Sequence, residues 1–191
     1  MSNAIELTIS SGKAVIRFTR PEMRNPLSIF VLDELETILD EVEKDTEVSE
    51  IVFTGTDNIF ASGADLREIS KLNADSAKAF AERGQRLMNK IAASSTTTIA
   101  AINGYCFGGA LDLALACDQR IATPNATFCH PGAGLGIITG WGGTQRLPRM
   151  IGEANALKLF FTAAPINSDE ALRIGVVSRI ETSFDFVDEI L

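Results

Sequence analysis

A layered α/β fold is what this chain predicts, on three observations. Strand-like apolar runs alternate with segments whose apolar residues recur at helical spacing. No composition break, fixed-period repeat or low-complexity tract divides the 191 residues, so a single domain over 1–191 with an ample core is expected. Twice, a glycine-rich turn stands where an apolar run gives way to a helix.

The elements follow in order. Ile5–Ile9 and Ala14–Phe18 pair around a Ser11-Gly12 turn, and Arg20 to Pro26 is irregular. Ser28 caps a helix running to about Lys44, with Val31, Leu32, Leu35, Ile38, Leu39 and Val42 as its apolar stripe. Ile51–Thr54 is a short strand, ended by Gly55-Thr56-Asp57-Asn58. Phe60–Ser70 holds one glycine turn. A long helix over Ala74–Ala93 places Phe80, Leu87, Met88 and Ile91 on one side. Thr98–Ile102 is a strand leading into the second glycine turn and a helix from Gly109 to Ala116. Arg120–Ala122 and Ala126–Phe128 are brief strands, and Pro131–Gly143 is a loop with six glycines. Helices over Thr144–Ile151 and Glu153–Phe161 part near Gly152. Ser168 caps Asp169–Ile174, Val176–Ile180 is a strand, and Phe184–Leu191 begins a helix.

Composition excludes several functions. A net charge of −8 argues against nucleic acid as a partner. No apolar run approaches the ~20 residues of a membrane span. The start, MSNAIELTIS, lacks a basic flank and an apolar stretch, so no signal peptide is expected. Cys106, Cys117 and Cys129 lie in apolar surroundings without CxxC spacing. They read as buried thiols of a cytoplasmic protein rather than metal ligands. There is no GK[ST] loop and no G-x-S-x-G elbow, and Gly132, Gly134 and Gly136 do not form G-x-G-x-x-G. His130, the single histidine, stands beside Phe128 and Cys129 and reads first as a packed side chain.

The chemistry points to the two glycine turns. Gly108 and Gly109 open a helix, whose first backbone N–H groups have no intrahelical partner. Asp112 lies three residues on, one turn deeper on the same face. The turn Ala61-Ser62-Gly63-Ala64-Asp65-Leu66 offers another N–H from a strand-to-helix junction. Two such donors on one oxygen make an oxyanion hole, with a carboxylate beside it to move a proton.

Several segments together resemble the enoyl-CoA hydratase/isomerase (crotonase) family. They are RPEMRNPLS, FASGADLREI, AAINGYCFGGALDLALACDQRIA, GLGIITGWGGTQRLPRMIG and EALRIGVVSRI, in the family's order across the whole chain. The resemblance implies a spiral of ββα units forming two nearly perpendicular sheets ringed by helices. It implies an acyl-CoA thioester as ligand, with coenzyme A present only as part of the substrate and no separate cofactor. The thioester oxygen would be held by the N–H groups of Ala64 and Gly109. Arg24, Ala61, Gly63, Asp65, Leu66, Arg67, Gly108, Gly132 and Trp141 fall in the segments expected to line the substrate. Arg67 is a candidate for a CoA phosphate, while Asp65 and Asp118 read as turn or cap carboxylates. A homo-oligomer, a trimer or dimer of trimers, is the family default. Relatives usually continue into a C-terminal helical segment, which this chain is expected largely to lack.

The chain departs from the pattern at the acids. Hydratases of this family normally use two glutamates. At the first position stands Asp112, shorter by about one bond, ~1.5 Å. At the second stands Gly132, and a later carboxylate position of the isomerases is Gly140. Naphthoate synthases with glycine at the second position recruit bicarbonate; this chain shares Gly132 and Trp141 with them but not their other signatures. The expected function is therefore an acyl-CoA-acting enzyme nearest to enoyl-CoA hydratase, with Asp112 as acid/base. The alternatives are a catalytically weakened acyl-CoA binder or assembly protein, and a CoA-ester decarboxylase-like enzyme.

Overall fold

Apolar residues on both faces of consecutive short strands dictate a sheet buried on both sides, and this organises the molecule. The structure, a computed structural model, describes residues 4–184 and Val187. Beyond those, the helix expected over Phe184–Leu191 lies outside the described residues. The chain begins with a hairpin, β1 (Ile5–Ser10) and β2 (Lys13–Phe18), antiparallel around the Ser11-Gly12 turn. A 3-10 turn at Pro21–Met23 and the two-residue β3 (Pro26–Leu27) lead to α1 (Ile29–Val42). Ser28 caps α1, its Oγ accepting from the Val31 N–H at 3.3 Å.

A structural repeat follows that no sequence period announces. β4 (Glu50–Thr54) and β5 (Ile59–Ala61) precede β6 (Gly63–Ala64), α2 (Leu66–Ile69) and α3 (Ala74–Ala92). β7 (Thr97–Ile102) and β8 (Tyr105–Phe107) precede α4 (Gly109–Ala116). β9 (Gln119–Ala122) and β10 (Thr127–Cys129) precede α5 (Gly132–Leu135), α6 (Gly143–Ile151) and α7 (Glu153–Thr162). Then come β11 (Ile166–Asn167), α8 (Ser168–Ile174) and β12 (Arg179–Ile180). In each pass the first strand joins a six-stranded sheet of order β1-β2-β4-β7-β9-β12, and the second joins a four-stranded sheet of order β11-β10-β8-β5. Within each sheet the three repeating strands run parallel. This is the expected spiral of ββα units; β3 and β6 form a separate parallel pair.

Side-chain alternation fills both faces of the larger sheet. Ile16, Ile51, Phe53, Ala100 and Ile102 enter the main core. Val15, Val52, Ile99, Ala101 and Ile121 enter a smaller cluster with Phe184. α4 is buried from Ala110 to Ala116, which makes it the central helix. α1 and α3 are laced by ion pairs Arg83–Asp33, Arg86–Glu36 and Lys90–Asp40.

Three expectations need correction. The 131–143 loop contains α5, closed at Gly136 in the left-handed region (φ 69°). α8 is capped by Asn167, whose Oδ1 accepts from the Glu170 N–H at 2.9 Å. Ser168 is instead buried and donates to Pro124 O at 2.7 Å. The strand expected over Val176–Ile180 shortens to Arg179–Ile180, because Val176 N–H is taken by Ala171 O at the end of α8.

Candidate active site

The two glycine turns meet. Gly63 has φ 85° and Gly108 has φ 55°, both in the region that favours glycine. A Cβ on Gly63 would lie 2.6 Å from the Gly109 nitrogen, and one on Gly109 would lie 3.3 Å from the Ala64 nitrogen. The Ala64 and Gly109 backbones are thus neighbours only because neither turn carries a side chain there. At the start of α4 the Leu111 and Asp112 N–H groups bond to Gly108 O, at 3.0 and 3.2 Å. The Gly109 N–H, at the first helical position, has no intrahelical acceptor.

Beside these turns lies a cavity of about 280 Å³. Its walls are mostly apolar: Leu66 and Ile69 of α2, Phe80 of α3, Leu135 of α5, and Ile137 and Ile138 of the following loop. Trp141 closes one side. Its indole occupies a slot between two glycines: a Cβ on Gly84 would lie 2.2 Å from indole atoms, and one on Gly109 would lie 2.3 Å from the ring. Phe80 leans on the same indole, with ring centroids 5.6 Å apart.

Asp112 is the one ionisable group lining this cavity. It is 1% exposed, and burial pushes its carboxyl from 3.8 up to about 7. Opposing that, the Thr139 hydroxyl donates to Oδ2, and Arg146 of α6 and the Trp141 backbone also favour the charged form. Gly143, which opens α6, packs on Oδ1; a Cβ there would come within 2.1 Å. Behind Asp112 stands His130, 3% exposed, with Nε2 at 3.6 Å from Oδ1. Its ring lies against Phe160, centroids 5.1 Å apart, and burial lowers its pKa from 6.5 to about 4. Such a site holds a carboxyl that changes charge near neutral pH, beside the joined turns and in a largely apolar space.

Comparison with known proteins decides the family. The enoyl-CoA hydratase/isomerase family profile matches residues 8–191. The short-chain-enoyl-CoA hydratase of Clostridium acetobutylicum is 40% identical over 179 residues, covering 93% of this chain and 69% of that protein. The chain belongs to the enoyl-CoA hydratase/isomerase family. The crotonyl-CoA hydratase of Syntrophomonas wolfei is likewise 40% identical over 178 residues, covering 93% of this chain and 68% of its own. Among solved structures, the enoyl-CoA hydratase of Bacillus anthracis superposes with a TM-score of 0.91 at 32% identity, over 98% of this chain and 73% of that one.

Of the residues this family implies, Ala64, Leu66, Gly108, Gly109, Asp112, Gly132 and Trp141 line the cavity. Gly63 stands just behind it, at the contact of the turns. Arg24, Ala61, Asp65 and Arg67 are not among the lining residues. Ala61 is fully buried in β5. Arg24 lies over the Tyr105 ring, 5.6 Å from its centroid. Asp65 caps α2 and holds Arg67 through both carboxylate oxygens, at 2.6 to 3.2 Å, while the Arg67 side chain stays 64% exposed. Asp118 ties α4 to β7, accepting from Thr98 N and Oγ1 at 2.8 and 2.9 Å.

Gly132 does more than lack an acid. A Cβ there would lie 2.5 Å from Ile137 O, so the backbone of the 132–138 turn fills the space a side chain needs. Thr139 and Arg146, both acting on Asp112, were not singled out from the sequence. Nothing local marks them, because their contact with residue 112 is made only by the folding back of the 131–143 loop. No group of three or more His, Cys, Asp or Glu side chains is placed to hold a metal among the described residues, and no helix of the described residues is long and apolar enough to cross a membrane.

Proposed function

We propose that this chain hydrates a short-chain enoyl-CoA thioester, with Ala64 and Gly109 N–H groups on the thioester oxygen and Asp112 as the acid/base. The observation that carries the reading is the buried Asp112 carboxyl, facing an apolar cavity beside the joined turns, where burial raises it to about 7. Relatives named for short-chain-enoyl-CoA and crotonyl-CoA hydration support the substrate class. The cavity, about 280 Å³, falls just below the ~300–1,000 Å³ range of ligand pockets, which favours a short acyl group.

The chemistry runs through one carboxyl. Ionised Asp112 takes a proton from water as the water oxygen bonds to Cβ of the enoyl group. The π electrons move onto the thioester oxygen, where two preorganised donors are worth more than in water. Asp112 then returns the proton to Cα, and the enolate collapses to the 3-hydroxyacyl thioester. A carboxyl poised near 7 serves both steps. Coenzyme A enters as part of the substrate, and no other cofactor is needed. Exposed Phe30, Ile138 and Phe161 support assembly as a trimer or dimer of trimers. Three buried free thiols suit a reducing cytoplasm.

Turnover of a short enoyl-CoA, followed by loss of its conjugated absorbance, tests this. Asp112→Asn is expected to lower kcat by about 100-fold or more; unchanged turnover refutes the assignment. The filled space at Gly132 keeps a second reading open, an acyl-CoA binder without turnover. It requires acyl-CoA affinity by calorimetry, unaltered in Asp112→Asn, with no product above solvent. A third, decarboxylation, would appear as carbon dioxide release from a malonyl-type ester.

A further inference from the structure

Two buried polar atoms at the back of the cavity face each other without partners. Asp112 Oδ1 and His130 Nε2 each lack a hydrogen-bond partner among the described residues, and they stand 3.6 Å apart. A buried polar atom left unpaired is costly, so two such atoms in apposition call for a common explanation. One proton supplies it. Placed on Oδ1, it is donated to the Nε2 lone pair; placed on Nε2 of a neutral ring, it is donated to ionised Oδ1. A shift of a few tenths of an ångström brings 3.6 Å within hydrogen-bonding range.

We propose that His130 and Asp112 form a proton-sharing pair, Oδ1–H···Nε2, in which His130 is the positioning residue that holds the reaction's proton on its single carboxyl. The proposal rests on Asp112 being the acid/base group. It accounts for a site in which Gly132 has no acid to offer. Water gives its proton to the carboxyl, breaking the water O–H bond. The proton rests on Oδ1 against Nε2 until the carboxyl turns it toward the cavity, and it leaves for Cα as that O–H bond breaks and the C–H bond forms. His130 ends neutral, as it began.

The surroundings set the balance between the two protonation states of this pair: burial favours the proton on the carboxyl, and the groups beside it oppose that. From α6, Arg146 favours ionised Asp112, as does the Thr139 hydroxyl on Oδ2. From β8, Cys106 is fully buried, and burial holds its thiol well above the usual range and neutral. Only burial moves His130, and it keeps the ring uncharged.

His130 is the only histidine, so the 15N-histidine-labelled full chain gives the signals of one imidazole. The expected spectrum shows a neutral ring down to about pH 5. Its Nε2 resonance should shift near pH 7, as Asp112 ionises. That shift should vanish in Asp112→Asn. In Thr139→Val, which removes a donor to the charged carboxylate, it should move to higher pH. A ring that titrates alone near 6.5, or an Nε2 course identical in wild type and Asp112→Asn, overturns the pair. In turnover, His130→Phe should lower kcat by about 10-fold to 100-fold with KM little changed, and His130→Gln should recover part of the loss. Unchanged kcat in His130→Phe overturns the positioning role. The spectra require no substrate, so failure of the pair is separable from failure of Asp112 as the acid/base, which only turnover reads.

Discussion

Trp141 shows how much of this site is made by absent atoms. Its indole is admitted by Gly84 in mid-helix and by Gly109 at a helix start. On propensity alone, Gly84→Ala in α3 would stabilise by about 1 kcal/mol. The new Cβ would sit 2.2 Å from ring atoms held on both sides, and overpacking of that kind costs about 1–3 kcal/mol. Overpacking wins. Gly84→Ala is expected to lower the urea midpoint and, by pushing the indole toward Gly109, to raise KM. Adding Trp141→Phe should restore part of the stability, as coupled neighbours do. A stabilised single variant with unaltered kinetics would show that the slot is looser than described. At this scale the sequence was legible where chemistry sits on one local turn. Gly108, Gly109 and Asp112 share a helix start, and spacing alone joined them. His130 and Thr139 were not legible as partners of Asp112, because residues 18 and 27 positions away meet it only through tertiary folding.

Elements of four or more residues with a clear period were readable, and of the very short ones only β10 and the end of the stretch that holds β12 were. α1, α3, α4, α6 and α7 stand close to where their apolar spacing put them. β3, β6 and β11 are two residues long, and β5 and β8 three, too few for alternation to register. Yet β5 and β8, with β10, build the second sheet, and β6 carries Ala64 to the site. The fold's repeat was hidden for the same reason. α3 illustrates what the longer elements contribute: it brings Phe80 to the cavity wall and Gly84 against the Trp141 indole, and it starts at a reciprocal cap. Asn73 Oδ1 accepts from Ser76 N–H, and Ser76 Oγ accepts from Asn73 N–H, each at 2.9 Å. Asn73→Ala should therefore destabilise by about 1 kcal/mol in urea unfolding, with an unchanged slope and little effect on kcat. A loss of activity without loss of stability would mean that the cap positions the cavity wall directly.

For the whole molecule, burying an acid and a base together sets how stability responds to pH. Asp112 is raised from 3.8 to about 7, so between those values the folded state binds more protons than the unfolded chain. Its contribution to stability is full below about 3.8 and is lost as pH rises through about 7. His130 is lowered from 6.5 to about 4, so the folded state there binds fewer protons. Its contribution is full above about 6.5 and is lost as pH falls through about 4. Over the shared window, about pH 4 to 6.5, the two slopes have opposite sign and nearly cancel. Separating them exposes each. Relative to wild type, Asp112→Asn should gain stability with rising pH across that window, and His130→Phe should lose it, each by up to about 1.4 kcal/mol per pH unit. Chemical denaturation of the three proteins at several pH values measures the differences directly, with the shared surface carboxylates cancelling between them. Parallel curves for all three would mean that neither group is held away from its ordinary ionisation. That result would remove the physical basis for a single carboxyl serving as both base and acid.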